Sequence, residues 1–157
     1  MPDIKPILLV EDNPNDLELT LHALERSLLA NEVVIARDGA EAVDWLKLAG
    51  AHKGRVTGDP AVVLLDLKLP KLDGLQVLER IKTDDDLKHI PVVMLTASKE
   101  ESDLVRSYSL GVNAFVVKPV DFKDFFKAIQ DVCVFWAILN EPHPPRRREQ
   151  AMKVTEV

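Results

Sequence analysis

The sequence predicts an α/β fold: a flavodoxin-like, doubly wound parallel sheet of five strands in the order 2-1-3-4-5, covered by five helices. Three observations carry this expectation. Short apolar runs without alternation recur along the chain, as strands buried on both faces require. Segments of helical periodicity separate them, each about 10–15 residues long. The 157 residues, 46% hydrophobic and 29% charged, suffice for one core of ordinary size.

The elements follow in order. Ile7-Leu8-Leu9-Val10 is the first strand. Asn13-Pro14 opens the first helix, where proline is tolerated in the first turn, and Leu17, Leu21, Leu24 and Leu28 recur at helical spacing. A weaker run, Val33-Val34-Ile35-Ala36, makes an edge strand. Asp38-Gly39 then opens a helix bearing Ala42, Val43, Trp45 and Leu46, with Trp45 read as a core or partly exposed residue. Residues 49–60, with glycines and basic side chains, read as a long surface loop. Ala61 to Leu65 is the third strand, and Asp73-Gly74 opens a helix with Leu75, Val77, Leu78 and Ile81. After the fourth strand, Val92-Val93-Met94-Leu95, Ser98 is expected to cap a helix, with Glu101 completing a capping-box pattern and Gly111 ending it. Ala114-Phe115-Val116-Val117 is the fifth strand, and Asp121 caps a last helix running to about Leu139. Right-handed crossovers leave few ways to join these units. Residues 1–140 therefore form one domain. Residues 141–157, with three prolines and Arg146-Arg147-Arg148, read as a flexible polar tail.

Composition removes several function classes. A net charge of -6 disfavours non-specific binding to nucleic acid or an anionic membrane. The single cysteine, Cys133, permits neither an internal disulfide nor a multi-cysteine metal site. No basic-then-apolar leader opens the chain. The longest uninterrupted apolar run, Val132 to Leu139, is far shorter than the roughly 20 residues a spanning helix needs. A soluble, cytoplasmic domain is expected. His22, His52, His89 and His143 show no ligand spacing and read as surface residues. G-x-x-x-x-G-K-[ST] and G-x-G-x-x-G are both absent, against nucleotidase and dinucleotide-binding readings.

Chemistry is read from the residues that follow the strands, because open parallel sheets bind ligands beyond their carboxyl ends. After strand one stand Glu11 and Asp12; after strand three, Asp66; after strand four, Thr96; after strand five, Lys118 and Pro119. Carboxylates packed together repel and call for raised pKa values or a cation. Hard oxygen ligands suit Mg²⁺, which often completes its shell with water and phosphate. Lys118 and Thr96 can meet further phosphoryl oxygens, as charge and as hydroxyl donor. The set suits phosphoryl transfer to a carboxylate, since no Ser or His directly follows these strands. Glu11 and Asp12 can also serve the positive end of the first helix.

These residues carry a resemblance. Over Ile7 to Leu139 the chain resembles the receiver domain of two-component response regulators, through Leu9-Val10-Glu11-Asp12, the run from Asp66 to Gly74, Leu95-Thr96-Ala97 and Val117-Lys118-Pro119. The resemblance implies that Asp66 accepts a phosphoryl group from the phosphohistidine of a sensor histidine kinase. It implies that Asp12, Asp66 and the backbone carbonyl of Lys68 ligate Mg²⁺, with Glu11 acting through water. Thr96 and Lys118 would bind phosphoryl oxygens, a cis bond before Pro119 would aim Lys118, and Thr96 and Phe115 would form the switch. Phe115 lacks a tyrosine hydroxyl. Lys68 and Ser98 occupy positions that tune phosphoryl lifetime in this family.

The preferred function is thus a stand-alone response regulator in phosphorelay signal transduction, catalysing only its own phosphorylation and dephosphorylation. The Pro-bearing first helix, the long loop before strand three and the extended last helix resemble single-domain regulators paired with bacterial and cyanobacterial phytochromes, so a phytochrome-type kinase is the expected partner. The runner-up is a haloacid-dehalogenase-type phosphatase, disfavoured because Lys68 stands where such enzymes carry a second acid. Helix five adds a surface. Beyond a sheet-facing stripe that includes Phe126, the residues Val134, Phe135, Ala137 and Ile138 make its end apolar all round, which predicts a homodimer with Phe126, Val134, Phe135 and Ile138 as contact candidates. The alternative cover is the tail folding back.

Overall fold

The computed structural model describes residues 4–27, 31–48, 58–97, 100–118 and 121–139. Its elements are β1 (Ile7–Val10), α1 (Pro14–Arg26), β2 (Val33–Ala36), α2 (Gly39–Lys47), β3 (Val62–Leu65), α3 (Gly74–Lys82), β4 (Val92–Thr96), α4 (Glu101–Ser109), β5 (Ala114–Val117) and α5 (Phe122–Val134), the last continuing as a π-helical turn over Phe135–Leu139. The strands form one parallel sheet in the order β2-β1-β3-β4-β5. The predicted fold class and strand order are those observed.

Alternation along each strand divides the core between the two faces of the sheet. Leu8, Val10, Val63, Leu65, Val92 and Met94 pack with Ala42, Val43, Trp45 and Leu46 of α2 and Val77, Leu78 and Ile81 of α3. Ile7, Leu9, Val62, Leu64, Val93 and Leu95 pack with Leu17, Ala23 and Leu24 of α1 and Phe125, Ile129 and Cys133 of α5. Each fully buried Leu, Ile or Val contributes about 1.5–3 kcal/mol relative to exposure. Cys133 is wholly buried, and burial pushes its thiol up to about 12.

Helix starts follow their caps. Asn13 accepts from the amides of Asn15 and Asp16, Asp38 from Glu41, and Asp121 from Lys123. Asp73 and Gln76 close a reciprocal capping box on α3. The fourth helix departs from expectation. It begins at Glu101 with Glu100 in the N-cap position and no side-chain cap bond, so Ser98, which lies outside the described residues, is not the residue bounding it. Gly111, at φ 96°, reverses the chain after α4 as anticipated.

His89 corrects another expectation. It is not a surface histidine: its Nε2 lies 3.1 Å from Asp59 Oδ2, with the two side chains 16% and 4% exposed. Asp59 and Pro60 are buried, so the end of the segment read as a surface loop is part of the packed structure; residues 49–57 lie outside the described residues. Lys82 Nζ donates to the carbonyls of Lys88 and Ile90 and to Asn113 Oδ1, tying α3 to the segments that lead into β4 and β5. His52, His143 and the 141–157 tail lie outside the described residues. Among the described residues no helix is long and apolar enough to cross a membrane.

Candidate functional site

The site is assembled by strand ends. Parallel register sets the ends of β1 and β3 level, Val10 beside Leu65, so Glu11 and Asp66 emerge from adjacent strands at one height. The amide of Asp66 donates to Val10 O (3.1 Å), and that of Glu11 to Ala36 O (3.0 Å), extending the ladder one residue past the strands. On the other side, the Lys118 amide donates to Thr96 O at 2.7 Å, fixing the ends of β4 and β5 together. The five predicted residues Glu11, Asp12, Asp66, Thr96 and Lys118 therefore share the carboxyl edge of the sheet.

Three of them converge. One carboxylate oxygen each from Glu11, Asp12 and Asp66 lies within 4.8 Å of the others. Their exposure is graded: Glu11 is buried, Asp66 half-buried and Asp12 exposed. Glu11 Oε2 is buried and has no hydrogen-bond partner. Burial, reinforced by the neighbouring Asp66 carboxyl, raises the Glu11 pKa to about 8 against the opposing pull of Lys118. A buried carboxylate oxygen without a donor, beside two more carboxylates, is an acceptor set that a small divalent cation satisfies and a neutral group does not. The donor chemistry fits a metal.

Lys118 is 11% exposed, and its ammonium contacts Glu11 Oε1 at 2.8 Å and Asp16 Oδ2 at 3.1 Å. Burial opposes its charge, but the bond to Glu11 and the fields of Asp66 and Glu11 outweigh burial and raise its pKa. Among the described residues, its ion pairs do not include Asp66. Thr96 is buried at the end of β4, and Phe115, beside Met94 in the sheet, is half-buried against the α2–α3 core. Lys68 lies two residues after Asp66 with an exposed side chain. Pro119 lies outside the described residues, as do the side chain of Ile138 and Arg146–Arg148.

Two features were not singled out from sequence. Asp16 joins the site from the first turn of α1; an acid there, four residues after Asp12, was the available signal, but acids are ordinary at helix starts. Gly74 fits against the loop that follows Asp66: a Cβ there would stand 2.2 Å from Asp66 O and 2.7 Å from Leu67 Cα.

A parallel sheet that gathers acids, a hydroxyl and an ammonium at its carboxyl edge defines a phosphoryl-handling signalling domain. The chain belongs to the response regulator receiver domain family, which matches residues 7–130. It is thus a phosphorelay signalling module and not a classical enzyme. Response regulator Rcp1 of Synechocystis sp. (strain ATCC 27184 / PCC 6803 / Kazusa) is 44% identical over 132 residues, covering 84% of this chain and 88% of that protein. The Mn²⁺-bound crystal form of response regulator Rcp1 superposes with a TM-score of 0.82 at 41% identity, covering 89% of this chain and 99% of that one. The bacteriophytochrome response regulator AtBRR is 71% identical with a TM-score of 0.73 over 89% of this chain and 100% of that one. The phosphorylated cyanobacterial phytochrome response regulator RcpA gives 39% and 0.84 over 90% and 100%.

Proposed function

We propose that Asp66 is the phosphoryl acceptor, that Glu11, Asp12, Asp66 and the Lys68 carbonyl hold Mg²⁺, and that the donor is a sensor histidine kinase of the phytochrome type. The observation that carries the site reading is the convergence of three carboxylates, one of which, Glu11, has a buried Oε2 without a hydrogen-bond partner. The kinase class is supported by the phytochrome regulators among the similar structures. Mg²⁺ supplies positive charge that offsets repulsion between the acids and the incoming phosphoryl oxygens. An Asp66 carboxylate oxygen forms the new bond to phosphorus as the phosphorus–nitrogen bond of the phosphohistidine breaks, and the imidazole leaves with the electron pair and takes a proton. Lys118 and Thr96 meet the transferred oxygens as charge and hydroxyl donor. Thr96 moving toward the phosphoryl group vacates space behind it for Phe115, which turns inward. The protein thereby catalyses only its own phosphorylation and, with water as the attacking group, its dephosphorylation.

In this reading residues 1–140 form the domain and 141–157 a polar tail. The domain is cytoplasmic, where the kinase's phosphoryl donor is made, and it pairs with a second copy through the end of α5.

The test is intact mass after incubation with Mg²⁺ and acetyl phosphate. Wild type is expected to gain one phosphoryl group and Asp66→Asn none, with unchanged far-UV dichroism. Equal labelling of the variant would place the acceptor elsewhere.

A further inference from the structure

We propose that Asp16 is a positioning residue for Lys118. It holds the ammonium on the α1 side of the site, away from Asp66, until a phosphoryl group draws it across. This rests on the reading of Asp66 as acceptor and of Glu11, Asp12 and Asp66 as metal ligands.

The backbone of Asp16 is pinned at both ends. Its amide donates to the Asn13 cap at 3.1 Å, and its carbonyl accepts from the buried Thr20 hydroxyl at 2.8 Å. The backbone is thereby fixed beside the site, and from it the carboxylate Oδ2 meets Lys118 Nζ at 3.1 Å. Asp16 is 40% exposed, whereas Lys118 is 11% exposed. The lysine is the enclosed partner, and Asp16 reaches it from the rim. Asp16 is absent from the trio of converging carboxylates, so it adds charge and a hydrogen bond without offering a ligand to the cation. Lys118 is thus shared between Glu11 and an acid that takes no part in the metal cluster.

Removing that acid acts on two ligands with opposite sign. An ammonium released by Asp16 is left to the remaining negative charges, Glu11 and Asp66, where it competes with a divalent cation for the same oxygens. The cation also loses the attraction of one nearby carboxylate. Metal binding weakens on both counts. A phosphoryl group or its mimic, by contrast, meets one negative charge fewer and no longer has to take Lys118 from Asp16. Its binding tightens once the metal site is filled.

The experiment is calorimetric titration of the full chain with Mg²⁺, followed by titration with beryllofluoride at saturating Mg²⁺, for wild type, Asp16→Asn and Asp16→Glu. In Asp16→Asn the Mg²⁺ dissociation constant is expected to rise about three- to tenfold while that for beryllofluoride falls by about the same factor. Asp16→Glu, which keeps the charge, is expected to restore both toward wild type. Constants that do not change, or that both worsen together, would overturn the role of Asp16. Wild type that binds neither probe would instead overturn the site reading, and the role of Asp16 with it.

Discussion

At Gly74 the lack of a side chain allows α3 to start directly against the backbone of Asp66 and Leu67. Its amide donates to Leu67 O at 2.7 Å, so the turn after Asp66 closes back onto the helix. A methyl group at this point meets backbone rather than a flexible side chain, and backbone can yield only by moving Asp66. Gly74→Ala is therefore expected to cost about 2–3 kcal/mol in urea unfolding and to slow acetyl phosphate labelling of Asp66. A variant of unchanged stability that labels at the wild-type rate would show that the loop has slack. Sequence alone marked Gly74 as a helix opener. Its closeness to Asp66 is tertiary and left no local trace. The same holds for His89 and Asp59, which meet across 30 positions.

Among elements, legibility followed the side chains that make them. The strands stood out because runs buried on both faces cannot alternate. Four of the five helix starts were readable because Asn13, Asp38, Asp73 and Asp121 bond free amides. The start of α4 was not, since Glu100 makes no side-chain cap bond and leaves nothing to read. Helix α5 was read correctly as amphipathic with an apolar end, but its four candidate contact residues are in different situations. Phe126 is engaged within the chain, its ring 5.6 Å from that of His22 and 5.3 Å beneath the Arg26 guanidinium. Val134 is half-buried, and the Ile138 side chain lies outside the described residues. Phe135, 48% exposed, stands edge-on to Trp136 at 4.9 Å, and is an aromatic that the π-helical turn after α5 presents to solvent. If this end pairs two copies, wild type scatters light as a dimer at micromolar concentration. Phe135→Ser then raises the dissociation constant about tenfold or more, as loss of an aromatic anchor does. A wild-type monomer, phosphorylated or not, would remove the dimer.

For the molecule as a whole, the site couples chemistry to stability. Without metal, folding raises the Glu11 pKa from 4.5 to about 8. Between those values the folded chain holds a proton that the unfolded chain releases. This contribution to stability is full below the unfolded value and is lost as pH rises through about 8. Mg²⁺ held as proposed would compete with that proton, so its stabilising effect would run the other way and grow over the same window. Thermal melts in chelator and in excess Mg²⁺ should show a gain in Tm at about pH 8.5 that exceeds the gain at about pH 6 by several degrees. An equal gain at both would mean that Glu11 titrates elsewhere. The acids of the site were legible because each follows a strand. Their mutual spacing depends on the register of β1 against β3, and the sharing of Lys118 with Asp16 on how α1 sits against the sheet.

Cys133 packs between α5 and the sheet, fully enclosed, with a thiol that seldom ionises. Alkylating reagents act on thiolates, and this one is both scarce and screened. The folded chain is thus a blank for thiol labelling. A cysteine placed on the exposed side of α4, at Val105 or Tyr108, would carry a dye or spin label alone, leaving the native residue in place.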